Sequence, residues 1–368
     1  MNMKTTSAKP LIKRSAARLV VMALAATASA LAGAPIAAAE RLTQVRMSID
    51  EDPIVLRLAN SLGYFKQEGI EIVPVDLEKI AKYDYLMQEP LTKGQIDASY
   101  HWFNHTIFGA RHSLPIKAVM LVNDAPGMTV MVANRLKDKI KSAADFKGKN
   151  IADGAQYGTK AVITSYLARK AGVAPGSFTP VMVESEGRLQ AVLQGLKAGT
   201  VQVMTFQEPT TSALLESNMV STLYDLNSKE ATTKVLGAAF PAQSLLISPA
   251  YIEAHPDTVQ HLVNALVKAM RFVNGRTAEE IAEKLPPDYF DKKDRSAQIK
   301  FIRDTLPTYA KGDYSFSPAA VELVVDAIQA SAFDSSPEGQ WRATGENSKV
   351  KIDQLYDNRF VRNAMREL

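Results

Sequence analysis

His101 and His105 stand four residues apart, a spacing that places both imidazoles on one face of a helix, with His112 one or two turns beyond. Such a face could hold a divalent metal. No Glu lies between the two histidines to serve as a base, and the chain has no Cys at all, so the spacing also suits histidines in other roles. In one of those roles His101 donates a hydrogen bond to a bound solute while Tyr100 or Trp102 forms an apolar or stacking wall, and Phe103 belongs to the core. No metal and no cofactor is expected. Gly158-Thr159, following a strand and opening a helix, would leave backbone N-H groups and a hydroxyl for a carboxylate or sulfonate. The alternative is that Thr159 merely caps the helix.

Acidic residues gather at the same kind of turn: Asp50, Glu51, Asp52, Asp124, Glu184, Glu186 and Glu208. If several face one cleft, a small inorganic anion meets an adverse field, and a zwitterion or neutral heteroaromatic fits better. Glu208 precedes Pro209, so its other reading is the cap of a rigid turn. Catalytic signatures are missing. The sequence has no G-x-S-x-G elbow, no H-E-x-x-H, no phosphate-binding glycine loop and no cysteine nucleophile. The lack of Cys also removes disulfide frameworks, thiolate zinc sites and a lipoprotein anchor.

The elements that must position these residues alternate. Short apolar runs at 45–48, 70–75, 95–100, 116–122, 128–134, 149–153, 179–183, 201–206 and 243–248 read as strands, with helical patterns between them. This is α/β layering with mostly parallel sheets. Ile54, Val55, Leu58, Leu62 and Phe65 recur at helical spacing after Asp52-Pro53 and before Gly69. Helices at 159–171 and 187–198 end at Gly172 and Gly199. A longer one begins near Pro256, with Val259, Leu262, Val263, Leu266, Val267, Met270 and Val273 on one stripe. His255 and His261 read as surface residues. No Gly/Ser-rich or Pro-rich linker divides the chain, so two domains would have to be discontinuous.

Residues 1–39 read as a cleavable secretory signal peptide. They hold Lys4, Lys9, Lys13, Arg14 and Arg18 and no acid, then an apolar run from Leu19 to Leu31 and small residues ending Ala37-Ala38-Ala39. Ala28-Ser29-Ala30 offers a second cleavage site. The apolar run falls short of the roughly 20 residues a spanning helix needs. Removing the leader turns a formal charge of +4 into −1, which gives little hold on nucleic acid.

Leu62-Gly63-Tyr64-Phe65-Lys66-Gln67-Glu68-Gly69-Ile70-Glu71-Ile72 resembles the nitrate/sulfonate/taurine-type solute-binding proteins of bacterial ABC importers. The resemblance continues through Leu91-Thr92-Lys93-Gly94-Gln95-Ile96-Asp97-Ala98, Asp145-Phe146-Lys147-Gly148-Lys149, Leu196-Lys197-Ala198-Gly199-Thr200-Val201, Glu208-Pro209 and the closing stretch from Ile352 to Val361. Two departures stand out. Gln202 occupies a position where the family usually has an acid, and the aromatic loop Tyr100-His101-Trp102-Phe103-Asn104-His105 is also similar to that of methionine-binding proteins.

The resemblance implies a periplasmic-binding fold of the second topological type, with two α/β lobes joined by two crossing strands. On that template 42–135 plus 240–335 form lobe 1, 136–239 form lobe 2, and 336–368 form a tail packing on lobe 1. The implied function is capture of a small organic solute (a sulfonate, amino-acid-like or heteroaromatic compound) in the periplasm and its delivery to the membrane permease and ATPase of an importer. A monomer without nucleic-acid partners is expected. The other readings are a periplasmic enzyme using His101 or a cleft carboxylate as acid/base, and a ligand-sensing partner of a membrane receptor. Ligands of open parallel sheets lie beyond the carboxyl ends of strands. That rule selects Ser48, Asp50, Tyr100, His101, Trp102, Asn123, Tyr157, Gly158, Thr159, Glu184, Gln207 and Glu208 as the candidate binding residues.

Overall fold

Two five-stranded sheets share one ordering principle. The computed structural model describes residues 42–49, 53–81, 86–154, 158–183, 188–286, 289, 294–331, 341 and 344–368. Residues 1–39, which the sequence reading assigns to a leader, Asp50, Tyr157, Glu184 and the segment 336–340 lie outside them. The strands in chain order are β1 (Thr43–Ile49), β2 (Ile70–Pro74), β3 (Ala98–Trp102), β4 (Lys117–Leu121), β5 (Met128–Ala133), β6 (Asn150–Ala152), β7 (Thr179–Val181), β8 (Val203–Gln207), β9 (Val220–Leu226) and β10 (Gln243–Ile247). The first sheet runs β2-β1-β3-β10-β4 and the second β7-β6-β8-β5-β9.

Three neighbouring strands in each sheet are parallel, and the fourth, β10 or β5, runs antiparallel to both its neighbours. Four of the five strands in each sheet therefore run the same way, as expected of mostly parallel sheets, and one is reversed. The cause is that each sheet takes one strand from a chain that has just crossed from the other. These central strands, Met-Thr-Val-Met-Val-Ala and Gln-Ser-Leu-Leu-Ile, are buried along their whole length, as both-face coverage requires. Pro74 and Pro180 sit in β2 and β7, the edge strands, where a missing ladder donor costs least.

The helices are α1 (Ile54–Ser61), α2 (Tyr64–Gln67), α3 (Gln88–Thr92), α4 (Asn104–Arg111), α5 (Thr159–Lys170), α6 (Arg188–Ala198), α7 (Thr210–Glu216), α8 (Lys229–Leu236), α9 (Pro249–Ala254), α10 (Pro256–Asn274), α11 (Ala278–Lys284), α12 (Arg295–Thr305), α13 (Pro318–Ala330) and α14 (Arg359–Glu367). The single helix expected from Ile54 to Phe65 is two. Gly63 adopts φ +72°, a left-handed conformation that ends α1 and starts α2 on a new axis. The expected stripe of α10 is buried throughout, and the helix packs against α1, α2 and α14. Gln202, the departure from the family pattern, is structural: its Oε1 accepts from Asn150 N at 2.6 Å and its Nε2 donates to Gly199 O at 2.7 Å.

The chain crosses between the sheets twice, from β4 to β5 and from β9 to β10. The crossings lie side by side. Val122 N and Asn123 N donate to Gln243 O, Ala242 N donates to Asn123 O, and Phe240 N donates to Asp124 O. A third segment joins them, with Ala310 N donating to Val122 O and Asp124 N to Thr308 O.

Candidate functional site

A cavity of about 610 Å³ opens beside these crossings. β3 contributes Tyr100 and Trp102, the first crossing contributes Asn123 and residues 125–127, and the end of β8 contributes Gln207, Glu208, Pro209 and Thr210. Asn227, Ala242 and Gln243 come from the second crossing. Phe301, Asp304 and Thr305 of α12, with Thr308 and Tyr309 after it, close one side, and Pro53, Ile54, Lys160 and Tyr289 complete the lining. Strand termini from both sheets thus meet one helix that belongs to neither.

Five of the twelve candidates, Tyr100, Trp102, Asn123, Gln207 and Glu208, line this cavity. Their geometry follows from local structure. Alternation along β3 puts Tyr100 and Trp102 on one face and Ser99 and His101 on the other. His101 is accordingly not among the cavity's described lining. Its Nδ1 accepts from Trp102 N at 2.8 Å, which leaves the proton of the neutral ring on Nε2, and its ring lies 4.1 Å from that of His105. His105 in turn meets Gln88 Nε2 at 3.1 Å. The pair belongs to a buried polar layer between β3 and α4, and no group of three His, Cys, Asp or Glu among the described residues is arranged to hold a metal.

Ser48 is also away from the wall, buried with its hydroxyl donating to Ser99 Oγ at 2.8 Å. Gly158, not Thr159, is the N-cap of α5, in extended conformation and with no side-chain cap bond; Thr159 is the first helical residue. The wall residue there is the next one, Lys160. Asp50, Tyr157 and Glu184 fall outside the described residues.

Glu208 stands at the wall and also bonds the helix that follows it: its Oε2 accepts from Ser212 N at 3.3 Å in the first turn of α7. Asn123 is held by a 2.8 Å bond from its Nδ2 to Thr308 Oγ1, tying the first crossing to the α12 side. Two carboxyls are buried behind the wall. Asp124 is paired with Lys229 Nζ at 3.4 Å, and burial raises its pKa against the pull of that lysine. Burial also pushes Asp153, at the end of β6, up to about 7, opposed by a hydrogen bond from Thr164 and by the charge of Lys160.

Sequence reasoning missed the whole α12 wall, Lys160, Asn227 and Gln243. The α12 residues could have been found from Phe301, Asp304 and Thr305, which share a helical face, but only once something showed that this face meets the strand ends.

Comparisons agree with this architecture. No curated protein sequence matches the chain. Among solved structures, the alkanesulfonate-binding protein SsuA from Xanthomonas axonopodis pv. citri bound to MOPS is 18% identical, with a TM-score of 0.57, covering 86% of this chain and 98% of its own. The periplasmic nitrate-binding protein NrtA from Synechocystis PCC 6803 is 13% identical, with a TM-score of 0.61 and 89% of each chain covered. The desulfurization enzyme DszB is 14% identical, with a TM-score of 0.55, covering 88% of this chain and 99% of its own. The fold is therefore that of periplasmic solute-binding proteins, shared with at least one enzyme. A family described as NMT1/THI5-like matches residues 52–278, and the chain belongs to that family.

Proposed function

We propose that this protein is the solute-binding component of an ABC import system, exported by the leader at 1–39 and working in the periplasm. It captures a small organic solute between two lobes (42–135 plus 240–335, and 136–239) and delivers it to a membrane permease and its ATPase. One observation carries the reading: a cavity of about 610 Å³ is built from strand ends of both sheets at the place where the chain passes between them. That size and its mixture of aromatic and amide groups suit a small organic ligand, and paired crossings suit hinged closure. Solute-binding proteins of the same fold, SsuA and NrtA, support it. No helix among the described residues is long and apolar enough to cross a membrane.

The resemblance in fold to DszB favours a second reading, an enzyme. Against it, the chain contains no cysteine to act as nucleophile, and His101 is not in the described wall. Glu208 and Asp304 remain as acid/base groups for that reading. The two separate in one experiment. The leader-free protein is screened by thermal shift against amines, amino acids, sulfonates, heteroaromatics and inorganic anions, and any compound that raises its melting temperature is incubated with it and recovered. A carrier returns the compound unchanged; a new product on chromatography would overturn the carrier reading.

A further inference from the structure

We propose that the solute is an organic ammonium cation, held by carboxylates and aromatic rings, and not an oxyanion. The inference rests on the solute-binding reading above and adds the charge of the ligand to it.

The charge distribution around the mouth of the cavity carries the argument. Lys300 Nζ lies 2.8 Å from Asp304 Oδ2 and 3.9 Å from Glu216 Oε1, and donates to Ser212 Oγ at 2.6 Å. Glu208 acts on the same ammonium through space. Three carboxylates therefore surround one lysine, and two of them, Glu208 and Asp304, line the cavity. Among the described lining residues two carboxylates stand against one ammonium. Lys160 is the cation among the described lining residues, and part of its field falls on the buried Asp153 carboxyl. No arginine, the side chain best shaped to grip a sulfonate in two places, lines the cavity among the described residues.

The apolar part of the wall has the complementary character. Trp102, Tyr100, Tyr289, Phe301 and Tyr309 all border the same space. Aromatic faces carry negative potential and bind desolvated ammonium groups, whereas they repel oxyanions. Carboxylate and ring thus select the same sign of charge, and both penalise its opposite.

The test uses four probes with leader-free protein: choline and benzylamine as cations, ethanesulfonate and nitrate as anions. Binding is read by melting temperature and by Trp fluorescence in a Trp341→Phe background. Trp341 stacks on His112 outside the cavity, so the remaining indole, Trp102, reports from the wall. The expected result is saturable binding of at least one amine, none of either anion, and roughly tenfold weaker amine binding in Glu208→Gln. The Gln amide oxygen can still accept from Ser212 N, so this variant tests charge without uncapping α7. The cation assignment is overturned if an anion binds more tightly than both amines, if Glu208→Gln leaves amine affinity unchanged, or if neither amine binds. Should an anion quench Trp102 at lower concentration than either amine, the assignment of charge falls while the solute-binding reading stands. Silence towards all four probes and towards the wider screen would remove both.

Discussion

Single side chains at the cavity obey two constraints, strand parity and burial, and each yields a prediction. Parity on β3 separates Trp102 from His101. Replacing Trp102 by Ala should weaken solute binding about tenfold, since a ring in contact with a ligand contributes on the order of 1 kcal/mol or more. His101→Ala should instead lower stability by about 1–2 kcal/mol through the buried contacts it loses, and leave affinity close to that of the parent protein. Calorimetric titration and chemical denaturation of both variants check this; weakened binding in His101→Ala would place the imidazole in the site after all. The position of a strand end nominates all three of Tyr100, His101 and Trp102, and only the two-residue period within the strand separates them. Burial governs Asp153. Its folded pKa, about 7, is above the ordinary carboxylate value of 3.8, so the folded state binds a proton that the unfolded chain releases. The stability this group permits is therefore highest below pH 4, falls as pH rises to about 7, and is level beyond it. A rise of that size corresponds to roughly 4 kcal/mol, so Asp153→Asn should flatten this slope and stabilise the protein at pH 8 by about 1–3 kcal/mol. A denaturation midpoint in the variant that still declines between pH 4 and 7 as in the parent would contradict the assignment.

Elements are legible in the sequence where one face is continuously apolar and opaque where it is not. The stripe of α10 and the buried runs of β5 and β10 announce themselves because packing on a core demands a strict period. β9 escapes notice because only Val220 and Leu226 of its seven residues are buried; it is an edge strand, wetted on much of its length. α12 is invisible for a similar reason, with only Ile302 fully buried, because its other face is spent on the cavity. The break between α1 and α2 shows the opposite failure, an apolar period that continues across a turn. Leu62 and Phe65 keep helical spacing while Gly63 reverses the sign of φ between them. A Cβ at Gly63 would meet nothing within 4 Å, so the cost of Gly63→Ala is conformational alone, about 1–2 kcal/mol for an L-residue held in the left-handed region. Urea denaturation should show that loss with little change in slope. A neutral variant would mean that the backbone there can continue as one helix.

At the scale of the whole molecule, the absence of a linker in the sequence and the paired crossings in the structure are one fact seen twice. A chain that leaves the first sheet after β4 and returns to it as β10 needs no flexible tether, and its two passages can hydrogen-bond to each other. Because those bonds fix 122–124 against 240–243, and Gly127 N is bonded to Leu226 O while 229–236 is the helix α8, a change in the angle between sheets falls on the short stretches between them, 125–126 and 237–239. Such a hinge needs a closing contact on the far side of the cavity, and Lys300 supplies a candidate. It reaches from α12, which packs with α11 after the first-sheet helix α10, to Ser212 and Glu216 on α7 of the second sheet. Its side chain is 47% exposed, so the ion pairs themselves are screened and worth at most about 0.5–1 kcal/mol to folding. A contact that contributes little to folding can still govern residence time if it exists only when the cavity is shut, since affinity among related complexes is set mostly by dissociation. Lys300→Met should therefore leave the melting temperature of the ligand-free protein nearly unchanged and speed solute release several-fold, measured by stopped-flow Trp102 fluorescence. Glu208 and Asp304 would lose their internal counter-ion in that variant, so a cationic solute should associate faster as well as leave faster. Unchanged dissociation would show that α12 and α7 meet equally in the open and closed forms, and the closing contact would have to be sought elsewhere along the mouth.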